Sequence, residues 1–300
     1  MKTGMGRNRV MAKFTRLATS LALHPLKAQG AVDVFYLDGR TNDLEYVRDK
    51  DMTLDRVDQG FYFTAFASQN LSYENNAEFQ MTKDKLAAIS ELLKNPKISI
   101  DSAINDMAEN AIEVTGRLSL DQDHKRPVYY AGFLVKDAEM AAITMGSGLA
   151  YLYRNDALYP LTEDDFPMEA VDHHGNPVDN YNIYGAGRAG TIRYSNIAQL
   201  QVDDCIMLCT KEVMDVIGQK GMLELLDQAF DQEEAAQMVR LRMEKAAEES
   251  GEDVPYQFMM SFVEEVLTPS KARKDRNTAM MKAITDQDLA ESKMHDETMR

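Results

Sequence analysis

The stretch 149-LAYLYRNDALYPLTEDD-165 decides how the rest of the chain is read. Two short runs rich in aromatic and apolar residues flank Asn155-Asp156, a pair that enters tight turns easily. The spacing predicts a hairpin with strands over 149–154 and 157–161. The runs just before it, 128–135 and 139–146, are also short, β-rich and joined by a tight turn. A chain of such hairpins builds an antiparallel sheet, whereas parallel sheets need long crossovers between strands.

Working outward, "AVDVFYL" (31–37) and "GFYFTAFA" (60–67) read as strands. Two helices follow them. Residues 83–95 align Leu86, Ile89 and Leu93 on one stripe, and residues 101–118 align Ile104, Met107, Ala111 and Val114 behind a capping Asp101. Beyond the hairpin lies a loop-rich section, 162–190. Strands "IRYSNIAQLQ" and "CIMLC" come next, then helices over 212–218, 220–230 and 231–248. The last of these opens on a capping box, Asp231 to Glu234. "YQFMMSFVEEV" (256–266) supplies a closing strand. This order predicts an α+β fold, with sheets packed together and helices covering the outside.

The chain of 300 residues is 44% hydrophobic and carries a formal charge of −16, which excludes a general nucleic-acid binder. The charge is uneven, because residues 1–32 hold six basic residues and no acid. This basic arm is expected to fold onto its own acidic body. Within it, "LATSLAL" mimics a signal peptide faintly, yet Phe14, Leu17, Ala18 and Leu21 fit one helical face. No run reaches the 18–20 or so apolar residues of a membrane span, so the cytoplasm is the expected location. Residues 268–300 read as a charged tail. The domain expected to fold is thus 31–267, between the arm (1–30) and the tail.

Three motifs are weak. "YGAGRAG" contains Gly185, Gly187 and Gly190 in dinucleotide-loop spacing, but β-like sequence follows where a helix is needed, so it reads as a Gly-rich loop. His173 and His174 sit in "VDHHGNP", a turn, and read as exposed loop histidines instead of zinc ligands. Cys205 and Cys209 lie four apart on one strand, facing the same way at a distance unsuited to a disulfide, and read as reduced core thiols.

"YLYRNDALYPLTEDD" together with "LQVDDCIMLCTKEVMDVI", "GFYFTAFASQN" and "GEDVPYQFMMSF" resembles, in order and spacing over about residues 60–267, the PPM-type metal-dependent Ser/Thr protein phosphatases. The resemblance implies two packed, mainly antiparallel β-sheets flanked by helix pairs. It also implies aspartates at strand ends holding Mg²⁺ or Mn²⁺ ions that activate a water. At those positions this chain departs from the family. The first Asp-Gly is Phe66-Ala67, the Asp of Gly-Asp-Ser-Arg is Ser147, and the Asp of Ser-Asp-Gly is Lys211, followed by Glu212. Asp253 alone is retained from the final motif, and Asp33 and Asp38 are candidates for the N-terminal acidic pair. An Asp-to-Lys exchange removes an attraction of roughly 4 kcal/mol at 4 Å and adds a repulsion of similar size.

The expectation is therefore a catalytically inactive phosphatase-like module with no cofactor. It would bind a protein partner such as a phosphoprotein or a Ser/Thr kinase, by analogy with the family. Lys211 either fills the space of the missing metal against Asp253 or Glu212, or is simply solvated. The alternatives are an active, divergent Mg/Mn-dependent phosphatase and a structural or assembly protein.

Overall fold

Strands alternate inward and outward side chains with a period of two, and here nearly every strand is buried on both sides, so whole runs are apolar. The computed structural model describes residues 12–24, 32–41, 54–68, 71, 76–115, 129–163, 166–252, 254–269 and 271. They form two sheets, and every strand pairing among them is antiparallel.

The first sheet comprises β1 (Phe14–His24), β4 (Leu54–Asp58), β8 (Gly148–Arg154), β9 (Ala157–Pro160), β13 (Cys205–Thr210) and β14 (Tyr256–Leu267) in the order β4-β1-β14-β13-β8-β9. The second runs β10-β11-β7-β6-β5-β2-β3, with β12 (Ala198–Gln199) also on β7. Its strands are β2 (Val32–Leu37), β3 (Arg40–Thr41), β5 (Gly60–Ser68), β6 (Tyr129–Lys136), β7 (Glu139–Met145), β10 (Gly185–Ala189) and β11 (Ile192–Ser195). The helices are α1 (Asn76–Leu93) and α2 (Ile100–Thr115) on the second sheet, and α3 (Lys211–Gln228) and α4 (Gln232–Ser250) on the first. The α+β architecture is the one expected.

Three apolar layers follow from strand parity. Phe61, Phe63, Phe133, Ile206 and Met259 fill the space between the sheets. Tyr62, Phe66, Tyr130 and Leu134 face α1 and α2. Cys205, Met207, Cys209, Phe258 and Met260 face α3 and α4. Neither cysteine forms a disulfide and both lie on one face, as expected, and burial pushes the Cys205 thiol from 9.0 up to about 12.

One expectation fails at the start of the chain. Residues 14–24, read as part of a basic arm with a helical face, form β1, which pairs with β14 and β4. A strand buried on both faces has an unbroken apolar run, and such a run satisfies helical spacing by accident. Thr19 and Ser20 interrupt it yet are buried, and the Thr19 hydroxyl meets the Ser261 hydroxyl at 2.8 Å. The remaining arm residues and 272–300 lie outside the described residues.

Other local expectations hold. Gly218, at φ 70° in the left-handed region, breaks α3 where the sequence divides two helices. Asp231 accepts the Glu234 amide at 2.8 Å, capping α4, while the Glu234 carboxylate takes the Phe230 amide at 2.8 Å. The glycine-rich stretch 185–190 forms β10 and its turn into β11, with no helix after it.

Lys136 ends β6 at 2% exposure, donating its ammonium to the Leu93 carbonyl and, at 3.2 Å, to the Asn95 carbonyl past the end of α1. The Leu93 carbonyl, the last of α1, has no partner further along the helix, and the cation also faces the negative end of the helix dipole. Replacing Lys136 by methionine should cost about 2 kcal/mol in urea unfolding. Desolvation lowers the Lys136 pKa below its ordinary 10.5. The unfolded chain thus holds that proton more tightly, so this residue's contribution to stability rises as pH climbs toward 10.5. The variant lacks that rise, and comparing the two unfolding curves against pH checks it.

Candidate functional site

At the end of the sandwich where β13 runs into α3, the interior changes from apolar to polar. Inward-facing positions follow the parity of the neighbouring core residues. They are Asp33 on β2, Ala67 on β5, Tyr129 on β6, Thr210 on β13 and Gln257 on β14, with Asp33 opposite Ala67 and Ala67 opposite Tyr129. Asp33 and Gln257 are each 2% exposed and Tyr129 is 1% exposed. Buried polar groups of this kind persist only if they find partners.

The partners are mutual. Gln257 Nε2 donates to the Tyr129 hydroxyl at 2.6 Å, and that hydroxyl donates to Asp33 Oδ1 at 3.2 Å. The same amide nitrogen lies 3.4 Å from Asp33 Oδ1, 3.4 Å from the Phe66 carbonyl and 3.5 Å from the Val34 carbonyl. The Gln257 backbone N–H reaches Thr210 Oγ1 at 3.4 Å. Gln257 Oε1 is buried with no hydrogen-bond partner. One neutral amide from the first sheet thus faces four oxygens of the second.

Beside this plug, the turn Gly146-Ser147-Gly148 joins β7 to β8. Its backbone is fixed from two sides. The Lys211 N–H donates to the Ser147 carbonyl at 2.9 Å. Arg193, 6% exposed on β11, donates from Nη2 to the Gly146 carbonyl at 2.7 Å and the Gly148 carbonyl at 2.9 Å. A permanent cation therefore underlies the turn that carries Ser147.

The residues singled out by sequence are distributed as follows. Ser147 and Lys211 are brought together, but through main-chain atoms. The Lys211 side chain is exposed and makes no ion pair with any described carboxylate, so the ammonium does not reach Glu212. Glu212 is half-buried in the first turn of α3, and its Oε2 makes no hydrogen bond. Phe66 points away from the plug toward the helices and stacks on Tyr130 at 6.2 Å, so the inward position of that pair is Ala67. Asp253 lies outside the described residues. Asp33 belongs to the plug. Asp38 sits past the opposite end of β2, in a turn with φ 42°, and pairs with Arg56.

Gln257, Tyr129, Thr210 and Arg193 were not singled out. The signal for Gln257 is a polar residue at an inward position of an otherwise apolar closing strand. Arg193 gives none, because an arginine in a strand usually snorkels to solvent.

No family model matches the sequence, and no curated protein matches it. Solved structures do. The catalytic domain of the serine/threonine protein phosphatase PstP, in complex with two manganese ions, superposes with a TM-score of 0.50 at 14% identity, covering 83% of this chain and 99% of that one. The serine/threonine phosphatase of S. agalactiae gives a TM-score of 0.49 at 11% identity, covering 82% of this chain and 100% of that one. The phosphatase domain of SpoIIE from Bacillus subtilis gives 0.46 at 11% identity, covering 85% and 94%. The fold is that of the PPM, or PP2C-type, Ser/Thr phosphatases.

Proposed function

We propose that this chain uses the metal-dependent phosphatase fold without its hydrolytic chemistry, as a regulatory or binding module. The observation that carries the reading is the Gln257 amide, which faces Asp33, Tyr129 and two main-chain carbonyls where the sheets meet. A pair of hard divalent ions needs several anionic oxygens around it. Among the described residues, the inward positions offer one carboxylate, a phenol, a hydroxyl, a carboxamide and the methyl of Ala67. The donors do not fit a two-metal centre.

The cations already present support the same reading. Arg193 lies under the Ser147 turn, and Lys211 stands at the start of α3, where like charge opposes a dication by several kcal/mol at short range. A Gln–Tyr–Asp chain holds the two sheets together without any ion, which suits a domain that keeps its shape in order to bind. We assign its partner to the phosphoproteins or Ser/Thr kinases that the fold's enzymes act on or work beside, in the cytoplasm. No helix among the described residues is long and apolar enough to cross a membrane.

The test is a manganese titration by calorimetry beside hydrolysis of an aryl phosphate. The expected result is no Mn²⁺-dependent turnover, and no micromolar, stoichiometric Mn²⁺ binding that an Asp33→Asn substitution weakens. Manganese-dependent hydrolysis lost in Asp33→Asn would establish instead an active, divergent phosphatase.

A further inference from the structure

His173 and His174, expected as exposed loop residues, are brought by the fold against a carboxylate. Asp156 belongs to the Asn155-Asp156 turn between β8 and β9, at the end of β8 about 20 Å from Gly148. The turn over Asp172–Asn176 is laid onto that hairpin. Asp172 bridges to Ala157, Val171 bridges to Pro177, and the His173 N–H donates to the Asp156 carbonyl at 3.0 Å. The turn is also closed from within, since both carboxylate oxygens of Asp172 accept from Asn176, at 2.7 and 2.9 Å. The backbone thus fixes both turns before any side chain is considered.

We propose that Asp156, His173 and His174 form a site for a divalent transition-metal ion, zinc by ligand type. One ligand atom from each lies within 4.8 Å of the others. His173 Nδ1 is 3.9 Å from Asp156 Oδ1, and the imidazole rings of His173 and His174 are 3.6 Å apart. A tetrahedral zinc with bonds near 2.1 Å sets its ligands about 3.4 Å apart, so small side-chain rotations close the set. Two imidazoles and one carboxylate suit zinc and its neighbours better than magnesium or calcium, which select oxygen alone.

Two further observations point to a ligand. His173 Nδ1 is buried and makes no hydrogen bond, although its side chain is only 17% exposed. A buried ring nitrogen without a partner is costly, and a metal would satisfy it. Tyr153 also donates its hydroxyl to Asp156 Oδ1 at 3.3 Å, the kind of outer contact that orients a metal-binding carboxylate. The three protein ligands leave a fourth position for water. The ion would fasten the 171–177 segment to the β8–β9 hairpin, remote from the Gln257 plug.

The experiment titrates zinc chloride into the full chain by calorimetry, with cobalt absorption as a second readout. The expected result is one ion per chain, a cobalt spectrum of tetrahedral type, and a higher melting temperature with zinc. His174→Ala removes an exposed ring, and Asp156→Asn keeps a residue that accepts the left-handed turn at φ 62°. Each should weaken zinc binding at least tenfold and abolish the melting shift, while the zinc-free melting temperature stays close to that of the parent. Absence of stoichiometric zinc binding, or binding unchanged in both variants, overturns the site. Repeating the manganese titration in the Asp156→Asn chain separates this site from the sandwich end.

Discussion

Replacing Arg154 by methionine should lower the unfolding free energy by about 3–5 kcal/mol, the loss expected when one member of a buried ion pair is removed. Arg154 closes β8, and its guanidinium grips Asp204 through two bonds, Nε to Oδ1 at 2.7 Å and Nη2 to Oδ2 at 2.6 Å. It also donates to the Tyr184 hydroxyl at 2.9 Å and to the Gln199 carbonyl at 2.8 Å. Asp204 is 1% exposed, and its second oxygen takes the Gln201 amide at 2.7 Å. Methionine keeps most of the stem but leaves that carboxylate buried with a single amide. Adding Asp204→Asn to the variant removes the stranded charge, so the double variant should be more stable than the single one. Urea unfolding of the parent and both variants measures this, and a loss under about 1 kcal/mol for Arg154→Met alone contradicts it.

The second large effect concerns Gly148, the first residue of β8. A Cβ there would lie 2.1 Å from the Tyr130 carbonyl oxygen, 2.6 Å from its carbonyl carbon and 3.1 Å from the Ala131 nitrogen. These are main-chain atoms of β6, in the opposite sheet, so no rotamer change relieves the clash. Separating the sheets locally also loosens the carbonyls that Arg193 holds on either side of Ser147. Gly148→Ala should therefore cost at least about 3 kcal/mol, the upper range for overpacking. Gly221→Ala is the control. It lies within α3, where a Cβ would meet only side-chain atoms, Ile217 Cγ2 at 3.1 Å first, and it should shift stability by no more than about 1 kcal/mol. Equal effects at the two glycines would refute the close sheet approach as the cause.

Much of the fold was legible because turns announce themselves locally. Asn155-Asp156 and Gly218 take left-handed backbone states that few other residues adopt, and Asp231 with Glu234 caps a helix start by hydrogen bonds. The β1 strand was not legible, because its register depends on β14 and the run of residues 17–23 carries no period of its own. The candidate site divides in the same way. The departures from the family motifs, Ser147 and Lys211 among them, could be read as substitutions at spaced positions. The polar cluster beside them could not, because Asp33, Tyr129 and Gln257 lie on three strands far apart in sequence and meet only across the sandwich. A shift of a single residue, from Phe66 to Ala67, exchanges the helix side of a sheet for its interior. The nearness of the histidine turn to Asp156 could not be read from the sequence, because Asp156 belongs to a different hairpin.

The pairing of β1 with β14 has a kinetic consequence. The Thr19–Ser261 contact closes a loop of 242 residues at the centre of the first sheet, and β13 attaches to that sheet through β14. The entropy of closing so long a loop must be met before the contact returns any stability, and domains dominated by such distant pairings fold slowly. During synthesis the second sheet, whose strands follow one another with shorter separations, can form before the ribosome has delivered residues 256–267. The first sheet cannot close, so β1, paired on one side with β4, keeps its other edge open to other chains until residues 256–267 have emerged.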